Sequence, residues 1–354
     1  MNYMAEDNIS FSVNVVPLKK PTVDKLICFW SSIFGEEYLS NQATRAILSG
    51  KENSFNKDFV FIAEKSPGIV STAHLTISGL DRRIGGLGEV ATLSEYRGKG
   101  LAKLLCCKAI SEFERRGGKC LFLGTNNPVA ARLYSALGYR YIPGTKVMLR
   151  TTQGESPEEF LGTYWNCGRK EKIRIVHGNA TFRIQIIPLA IWPYDGIVLD
   201  ANAGLFSIRW FTQKSCMGLY PKYENLDKEG AWFAAVVNRL LVGISSVRFC
   251  ANMAARIDGF CHPFFSKHAL VSLYRHAICY ADKKGAARIY AVRERNDSEK
   301  NRFLLKLGFV LTEEKMKIEM ENNTIELIVY DYHGAKNSGR TALKMRRQNV
   351  FKET

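Results

Sequence analysis

The sequence lacks the segments that would place a chain in or across a membrane. No apolar run among its 354 residues reaches the roughly 18 residues that a membrane-spanning helix needs. The longest candidate, AAVVNRLLVGISSV, is interrupted by Asn238 and Arg239. The first ten residues, MNYMAEDNIS, lack the basic segment and the apolar core of a secretory signal. We therefore expect a cytoplasmic protein with no membrane partner.

Metal-binding and disulfide patterns are also missing. The nine cysteines are odd in number, irregularly spaced and without a Cys-x-x-Cys pair, which encodes neither a disulfide framework nor a zinc site. His262, His268 and His276 are six and eight residues apart, not the three or four that place two ligands on one helix face, so we interpret them as structural. We expect no bound metal.

Acidic residues are too few to balance the basic ones. Fifty Lys and Arg against 34 Asp and Glu give a net charge of +16, which favours a polyanionic partner: a phosphorylated cofactor, an acidic substrate or nucleic acid. Residues 334–354 carry six basic residues, one acidic residue and a single aromatic, Phe351. This composition favours a solvated, disordered tail over a nucleic-acid-binding arm, so nucleic acid is a possible partner that we do not favour.

The length suits two domains, each able to bury its own core. Alternating strand and helix patterns run through residues 1–150 and end at the polar stretch TTQGESPEE. We predict a first domain at 1–150, a linker at 151–178, a second domain at 179–333 and the basic tail at 334–354.

The second half repeats the first. FERRGGKCLFLG matches YADKKGAARIYAV, which aligns Gly117 with Gly285, and LYSALGYRYI matches LLKLGFVLT, which aligns Gly138 with Gly308. A helix, a short strand, a second helix and a Gly-aromatic stop therefore recur at nearly fixed spacing. This regularity predicts tandem copies of one α/β fold.

The stretch EYRGKGLA predicts an anion site. Gly98 and Gly100 can adopt backbone conformations closed to other residues, and the helix predicted from Leu101 directs unpaired N–H groups into the loop. Arg97 and Lys99 add positive charge. Lys103 occupies the place of the third glycine of a dinucleotide-binding loop, and no Gly-Lys-Ser/Thr follows, so neither nucleotide-binding motif is present.

The run VATLSEYRGKGLAKLL followed by NNPVAARLYSALGY resembles the GNAT superfamily of acyl-CoA-dependent N-acyltransferases. The family's pyrophosphate loop, Gln/Arg-x-x-Gly-x-Gly/Ala, is matched by Gly98 and Gly100, with Glu95 departing from its first position. A second family signature, Asn-x-x-Ala-x-x-x-Tyr followed by Gly-aromatic, is matched by five residues: Asn127, Ala130, Tyr134, Gly138 and Tyr139.

The resemblance implies a fold of the α/β (α+β) class, with two tandem GNAT-type domains, each a mixed central sheet flanked by helices. It further implies acetyl-CoA as co-substrate, held between two central strands that splay apart. The implied cofactor-binding residues are Val90, Ala91 and Thr92 for the pantetheine arm, Arg97, Gly98, Lys99, Gly100, Leu101 and Ala102 for the pyrophosphate, and Asn127 for the pantetheine or acyl end.

The same resemblance implies Tyr134 as the general acid. A Tyr hydroxyl near the sulfur could protonate the leaving thiolate, although a packed aromatic at a helical core position is the alternative. Glu89 could accept the amine's proton directly or through water. Strand alternation places Glu89 on the face opposite Val90 and Thr92, so an exposed strand carboxylate is its alternative. His74, on the strand before, is interpreted as a satisfied histidine rather than a base.

In the second copy these residues are replaced. Phe265, Ser266, Lys267 and His268 stand opposite Arg97 to Gly100, while Leu304 and Asp297 stand opposite Tyr134 and Asn127. We therefore predict one active and one degenerate domain.

The predicted function is an acetyl-CoA-dependent N-acetyltransferase acting on the primary amine of a small molecule. Two alternatives stay open. Tandem copies of this fold also serve aminoacyl-tRNA-dependent transferases, which the net charge suits and the intact cofactor loop opposes. A non-catalytic module that only senses CoA would need the loop without the chemistry.

Overall fold

The computed structural model describes residues 8–166, 172–210, 212–213, 216–320 and 323–334, with four of these, Ser266, Lys267, Met320 and Asn323, described by backbone alone. The predicted basic tail lies outside these residues apart from Gly334. Within them, every helix is too short or too polar to cross a bilayer.

The first sheet has seven strands. They are β1 (Ser10–Val15), β2 (Asn56–Lys65), β3 (Gly68–Ser78), β4 (Ile84–Thr92), β5 (Cys120–Gly124), β6 (Arg140–Tyr141) and β7 (Val147–Thr151). Their order in the sheet is β1-β2-β3-β4-β5-β7-β6. Only β4 and β5 pair in parallel, while the other neighbours are antiparallel. The sheet is therefore mixed, as predicted.

Helices cover both faces of this sheet. They are α1 (Lys20–Phe34), α2 (Gln42–Leu48), α3 (Leu101–Arg115), α4 (Pro128–Ala136) and α5 (Pro157–Asn166). Strand β2 shows how the faces divide: Phe59 and Phe61 pack in the cluster that includes the buried side of α3, whereas Val60 and Ile62 pack in the cluster of α1. The apolar run of β2 is thus explained by burial on both faces.

The second sheet has the same strand order as the first. Its first strand is β8 (Arg174–His177). Between β8 and the next strand of the sheet lie α6 (Ile186–Ala190), the hairpin of β9 (Val198–Asp200) and β10 (Leu205–Phe206), and α7 (Leu219–Leu226). The remaining strands of the sheet and two further helices follow. They are β11 (Gly230–Val237), β12 (Leu240–Phe249), β13 (Ala254–Cys261), α8 (Ser266–Lys283), β14 (Arg288–Glu294), α9 (Ser298–Lys306), β15 (Phe309–Met320) and β16 (Asn323–Tyr332).

Counted in chain order, the strands of both sheets follow the sequence 1-2-3-4-5-7-6, and in both only the fourth and fifth strands are parallel. The predicted repeat is confirmed at the level of topology. The aligned glycines agree as well: Gly117 and Gly285 have φ of +81° and +78°, and Gly138 and Gly308 have φ of +87° and +91°.

The described residues divide into two compact units. The first holds residues 8–166, Asn179–Ile191 and the described part of 212–221, and the second holds 172–178, 192–210 and 222–334. The bounds differ from the predicted ones because two segments beyond residue 178 group with the first unit. The predicted linker also contains α5 and β8.

The polar stretch that suggested a linker ends in the first turn of α5. Ser156 N donates to Glu159 Oε2 at 2.7 Å, and Glu159 N donates to Ser156 Oγ at 3.2 Å, which is a reciprocal capping box. Pro157 then occupies the first helical position, where its missing N–H costs nothing. Polar composition here marks a helix N-terminus rather than an unstructured connection.

The helix-to-strand corners at Gly117 and Gly285 generate a prediction. Both glycines end a helix in a Schellman motif, with the N–H of Gly118 bonded to Phe113 O and that of Ala286 to Ala281 O, each at 3.0 Å. A Cβ would meet no atom within 4 Å at either glycine. We expect Gly117→Ala and Gly285→Ala each to lower the free energy of unfolding by about 1 kcal/mol, because only the left-handed backbone is strained. Urea denaturation measures the effect.

Gly162 is the matched control. It lies within α5, a Cβ added there would meet no atom within 4 Å, and its φ is not positive. Gly162→Ala should raise the free energy of unfolding by about 0.5–1 kcal/mol. A large cost at only one of the two corners would contradict their equivalence.

Candidate active site

Strands β4 and β5 separate part-way along their length. Their parallel pairing covers residues 84–86 of β4 and 120–122 of β5. Strand β4 nevertheless continues to Thr92, where it still pairs with β3 at Ser71. One edge of residues 87–92 therefore faces the gap that opens between β4 and β5.

A bulge at Glu89 alters the course of β4 beside this gap. His74 of β3 pairs with Gly88, and Thr72 pairs with Ala91, so one residue of β3 faces two residues of β4. Glu89 has φ of +43°, which is uncommon for a residue with a side chain. Thr72 Oγ1 donates to Glu89 O at 2.7 Å, which satisfies a carbonyl that the ladder has lost.

The glycine loop has the backbone that its sequence predicts. Gly98 and Gly100 have φ of +78° and +79°, and a Cβ on either would have no neighbour within 4 Å. Gly100 is the N-cap of α3 and contributes no side-chain cap. Leu104 N makes the first helical bond to Gly100 O, so the preceding N–H groups of the first turn have no acceptor within the helix. Unpaired amides at a helix N-terminus are the groups that anions bind in other proteins, which agrees with the prediction.

Basic side chains surround the loop. Arg97 is exposed and donates from Nε to Thr92 O at 3.1 Å, which ties the loop to the end of β4. Lys99 Nζ lies 5.0 Å from the centre of the Tyr96 ring, and Lys65 Nζ lies 5.8 Å from it. The electrostatics of the loop therefore favour an anion.

Asn127 and Tyr134 lie on α4 as the sequence predicts. Asn127 is the N-cap, and its Oδ1 accepts from Val129 N at 2.9 Å and from Ala130 N at 3.3 Å. Tyr134 is 7% exposed and packs in the α3-facing cluster with Cys106, its ring 6.0 Å from that of Tyr139. Burial, with lesser effects of Cys106 and Glu89, raises the pKa of Tyr134, so its hydroxyl is protonated at neutral pH.

Glu89 is not an exposed strand carboxylate. Its side chain is 14% exposed, and its Oε2 lies 2.8 Å from His74 Nδ1. Tyr38, in the 3₁₀ turn Glu36–Ser40, donates to Glu89 Oε1 at 3.3 Å. Val90 packs against the α3-facing cluster and Tyr38 against the α1 cluster, so Glu89 lies on the face opposite Val90, as alternation predicts, but is partly buried there.

His74 is held between two carboxylates. Its Nε2 lies 2.9 Å from Asp58 Oδ1 and its Nδ1 lies 2.8 Å from Glu89 Oε2. Since carboxylates only accept hydrogen bonds, both ring nitrogens carry a proton and the ring is an imidazolium. Burial alone would lower the pKa of His74, but the hydrogen bonds and charges of Asp58 and Glu89 raise it to about 9. The prediction of a satisfied histidine agrees with this environment.

Asp58 connects His74 to Arg183. Arg183 Nη2 lies 2.7 Å from both carboxylate oxygens of Asp58, and Thr76 Oγ1 donates to Asp58 Oδ1 at 2.6 Å. Burial would raise the pKa of Asp58, but Arg183 and His74 together hold it well below its usual range. Sequence reasoning missed Asp58 and Arg183. The available signal was the polar series Asp58, His74 and Thr76 on two neighbouring strands.

Residues 56–141 match the family model described as the acetyltransferase (GNAT) domain. This segment is similar to the GNAT family. It contains the glycine loop, Glu89, Asn127 and Tyr134, whereas Arg183 lies outside it. No relative was found among curated protein sequences.

Solved structures similar to this chain include acetyltransferases of low sequence identity. A GNAT-family acetyltransferase from Staphylococcus aureus Mu50 is 21% identical, covering 40% of this chain and 100% of its own, with a TM-score of 0.33. The ribosomal-protein-alanine N-acetyltransferase from Brucella melitensis is 11% identical, covering 45% of this chain and 98% of its own, with a TM-score of 0.36. The yncA protein from Salmonella typhimurium, solved with its cofactor acetyl-CoA, is 14% identical, covering 45% of this chain and 92% of its own, with a TM-score of 0.34.

The GNAT domain's β4 is lined by residues from beyond the family match. A Cβ added to Gly86 would lie 2.5 Å from Met217 Sδ and 3.1 Å from Ile184 Cδ1, and one added to Gly88 would lie 3.5 Å from Met217 Cγ. These glycines therefore make room for Met217 and Ile184. The face of β4 that carries Gly86 and Gly88 is partly covered by the first unit's own later segments.

The second unit differs from the GNAT domain where the sequence predicts. Helix α8 begins at Ser266, three residues before the position aligned with Leu101, so its backbone is helical where the glycine loop would be. Asp297 keeps the capping role of Asn127 by accepting from Lys300 N, and Leu304 is fully buried in the place of Tyr134. The scaffold is retained without the amide cradle.

In the second unit an ion pair lies where β13 and β14 stop pairing. The parallel pairing of β13 with β14 ends at Ile257. Asp258 comes next and contacts Lys300 Nζ of α9 and the Tyr274 hydroxyl of α8. Internal charges thus meet where the strands of this unit separate.

The environment of His74 predicts how stability depends on pH. Its pKa is raised on folding, so its contribution is complete below about pH 6.5 and is lost as the pH rises through about 9. We expect the free energy of unfolding to fall across this interval by at most about 3 kcal/mol more in the wild type than in His74→Gln. Urea denaturation between pH 6 and 10 measures the difference.

His268→Gln is the control for this measurement, because His268 is exposed on α8. It should follow the wild-type curve. Identical pH dependence in wild type and His74→Gln would contradict a raised pKa of His74.

Proposed function

We propose that this protein transfers an acetyl group from acetyl-CoA to a primary amine of a small molecule, and that the first unit carries the active site. The observation that carries the proposal is the loop with two left-handed glycines at the N-terminus of α3, beside the gap between β4 and β5. A loop of exposed amides suits a pyrophosphate, and an unpaired strand edge suits the amide-containing pantetheine arm.

The residues proposed to bind acetyl-CoA follow this geometry. Residues 97–102 would hold the pyrophosphate through backbone N–H groups, with Arg97 and Lys99 adding charge. The backbone of residues 90–92 would pair with the pantetheine arm. Asn127 uses its Oδ1 to cap α4, so its amide nitrogen is the group that could reach the ligand.

The reaction needs a neutral amine and a protonated leaving group. The amine nitrogen attacks the thioester carbonyl, the C–N bond forms, the C–S bond breaks, and the thiolate of CoA takes up a proton. We propose Tyr134 as the donor of that proton. Its protonated hydroxyl supports this role, because a phenol O–H can donate a hydrogen bond or a proton to a thiolate that forms beside it.

We propose Glu89 as the acceptor of the amine's proton. The carboxylate is only partly exposed, next to the bulge of β4, and is held by the His74 imidazolium and the Tyr38 hydroxyl. Each carboxylate oxygen accepts one of these hydrogen bonds and has a second lone pair for the amine's proton. The position of Glu89 on β4 supports access from the strand gap.

The size of the acceptor is inferred from what covers β4. Met217 and Ile184 pack against the Gly86 face, and Trp30 and Tyr38 lie on the side of His74 and Glu89. Side chains on both sides narrow the approach to Glu89. This supports a small acceptor over an extended protein segment.

Binding of acetyl-CoA tests the loop. Gly98→Glu introduces a side chain and a negative charge at a position with φ of +78°, so we expect it to lower the affinity for acetyl-CoA by more than about 100-fold by repelling the pyrophosphate. Isothermal titration calorimetry gives the dissociation constant. Gly154→Glu is the control, since Gly154 is exposed, has φ of +79° and lies outside the loop. Unchanged affinity in Gly98→Glu would exclude the proposed cofactor site.

Release of free thiol from acetyl-CoA tests the chemistry. A panel of small amines, aminoglycosides, amino acids and peptides identifies acceptors, and we expect turnover with a small-molecule amine. With that acceptor, Tyr134→Phe should lower kcat by about 100-fold while the affinity for acetyl-CoA stays unchanged.

Tyr139→Phe is the matched control, because Tyr139 is buried in the same cluster and its hydroxyl has no hydrogen-bond partner among the described residues. It should retain wild-type kcat. Turnover with peptides alone would contradict a small acceptor, and acetyl-CoA binding without thiol release for any amine would favour a sensing module.

A further inference from the structure

Arg183 is a buried cation that the GNAT domain does not itself contain. It lies in the segment Asn179–Ile191, more than 40 residues after the end of the family match, and it is 2% exposed. Its guanidinium contacts two carboxylates of the first unit: Nη1 lies 2.8 Å from Glu52 Oε2, and Nη2 lies 2.7 Å from both oxygens of Asp58. A segment distant in sequence is thereby joined to the central strands.

The contacts continue from Arg183 to Glu89 without interruption. Asp58 Oδ1 lies 2.9 Å from His74 Nε2, and His74 Nδ1 lies 2.8 Å from Glu89 Oε2. The charges alternate in sign along this relay. Each cation, Arg183 and protonated His74, stands between two carboxylates, so the relay carries one net negative charge.

The arrangement depends on Arg183 for physical reasons. Asp58 is 1% exposed, and a carboxylate with so little water remains ionised only beside a cation. An ionised Asp58 then accepts from His74 Nε2, which fixes the imidazole ring and aims its Nδ1–H at Glu89. Trp30 stacks on the ring at an interplanar angle of 18° and limits its rotation.

We propose that Arg183 is a positioning residue for the acceptor-side carboxylate: through Asp58 it fixes the His74 ring, whose Nδ1 hydrogen bond and positive charge orient Glu89. The inference rests on the proposed function, in which Glu89 receives the amine's proton. It also gives the segment after the GNAT domain a role in the chemistry of that domain.

Other titratable groups also face the relay. They are Tyr38 and Glu37 on the 3₁₀ turn, Glu52 before β2, Tyr134 on α4 and Cys216 on the segment that follows α6. Burial raises the pKa of Tyr38, Tyr134 and Cys216, so all three are neutral at pH 7. Among the groups of the relay and those that face it, Arg183 and His74 carry the positive charges.

The test measures the titration of Glu89 directly and needs no substrate. The full chain is labelled with 13C at the Glu side-chain carboxyl, and Glu89→Gln identifies the Glu89 resonance. In Arg183→Met we expect the midpoint of the Glu89 titration to rise by about one pH unit, because removing a nearby cation raises the proton affinity of a carboxylate. Arg183→Lys keeps the charge and should restore a midpoint close to that of the wild type.

Arg45→Met is the matched control, because it removes an Arg that pairs with Asp24 at 2.6 Å in the same unit without contacting the relay. Its Glu89 midpoint should equal that of the wild type. An unchanged midpoint in Arg183→Met, or an equal rise in Arg183→Met and Arg183→Lys, would overturn the proposal.

A second measurement covers the case in which Arg183→Met does not fold. In the wild type at pH 7.5, the 15N shifts of both His74 ring nitrogens should be those of an imidazolium, and a neutral ring would overturn the relay. Calorimetry with acetyl-CoA on the same samples separates the two hypotheses. A wild type that fails to bind acetyl-CoA refutes the proposed function and leaves the NMR result on Arg183 valid.

Discussion

The loss of pairing between β4 and β5 beyond Gly86 is the constraint on which the rest of the first unit depends. Two parallel strands that separate leave backbone N–H and C=O groups without their ladder partners, and these groups need water, side chains or a ligand. At the bulge beside β3, the protein supplies its own partners: Thr72 Oγ1 donates to Glu89 O and Ser71 Oγ donates to Ala91 O. The glycine loop then presents its amides at the same end of β4. The unsatisfied backbone of the strand and of the helix N-terminus is thus gathered in one place.

The second unit shows another solution to the same constraint. Its β13 also continues beyond its pairing with β14. The Asp258 carboxylate, however, accepts hydrogen bonds from Ala201 N and the Tyr274 hydroxyl and forms an ion pair with Lys300. Here the protein supplies internal polar groups to the separated strand. A gap satisfied from within has little need of a ligand. The two units therefore share a topology and differ in what completes it.

The sequence predicted features that depend on local backbone chemistry. Gly98 and Gly100 adopt the left-handed conformation that only glycine adopts without strain, and the capping pattern of Asn127 fixes the start of α4. The repeat was visible because Gly117 and Gly285 end equivalent helices in the same way.

Features that depend on long-range contacts were not predictable in this way. The residue pattern of β4 did not predict the partial burial of Glu89, because its partners His74 and Tyr38 are 15 and 51 residues away in sequence. Asp58 and Arg183 are 125 residues apart in sequence, and nothing local links them. The capping box at Ser156 was overlooked because the polar residues of a helix N-terminus have the same composition as a linker.

The buried contact of Arg183 with Glu52 and Asp58 has a consequence for how this chain can be divided. The family match ends at residue 141, and a recombinant fragment cut near residue 150 would retain the glycine loop, Tyr134 and Glu89. It would also retain the carboxylates of Glu52 and Asp58 and lose the Arg183 guanidinium that neutralises them. Removing one partner of a buried ion pair lowers the free energy of unfolding. The family match and the compact first unit therefore do not coincide, because the unit that buries Asp58 includes residues that follow β8.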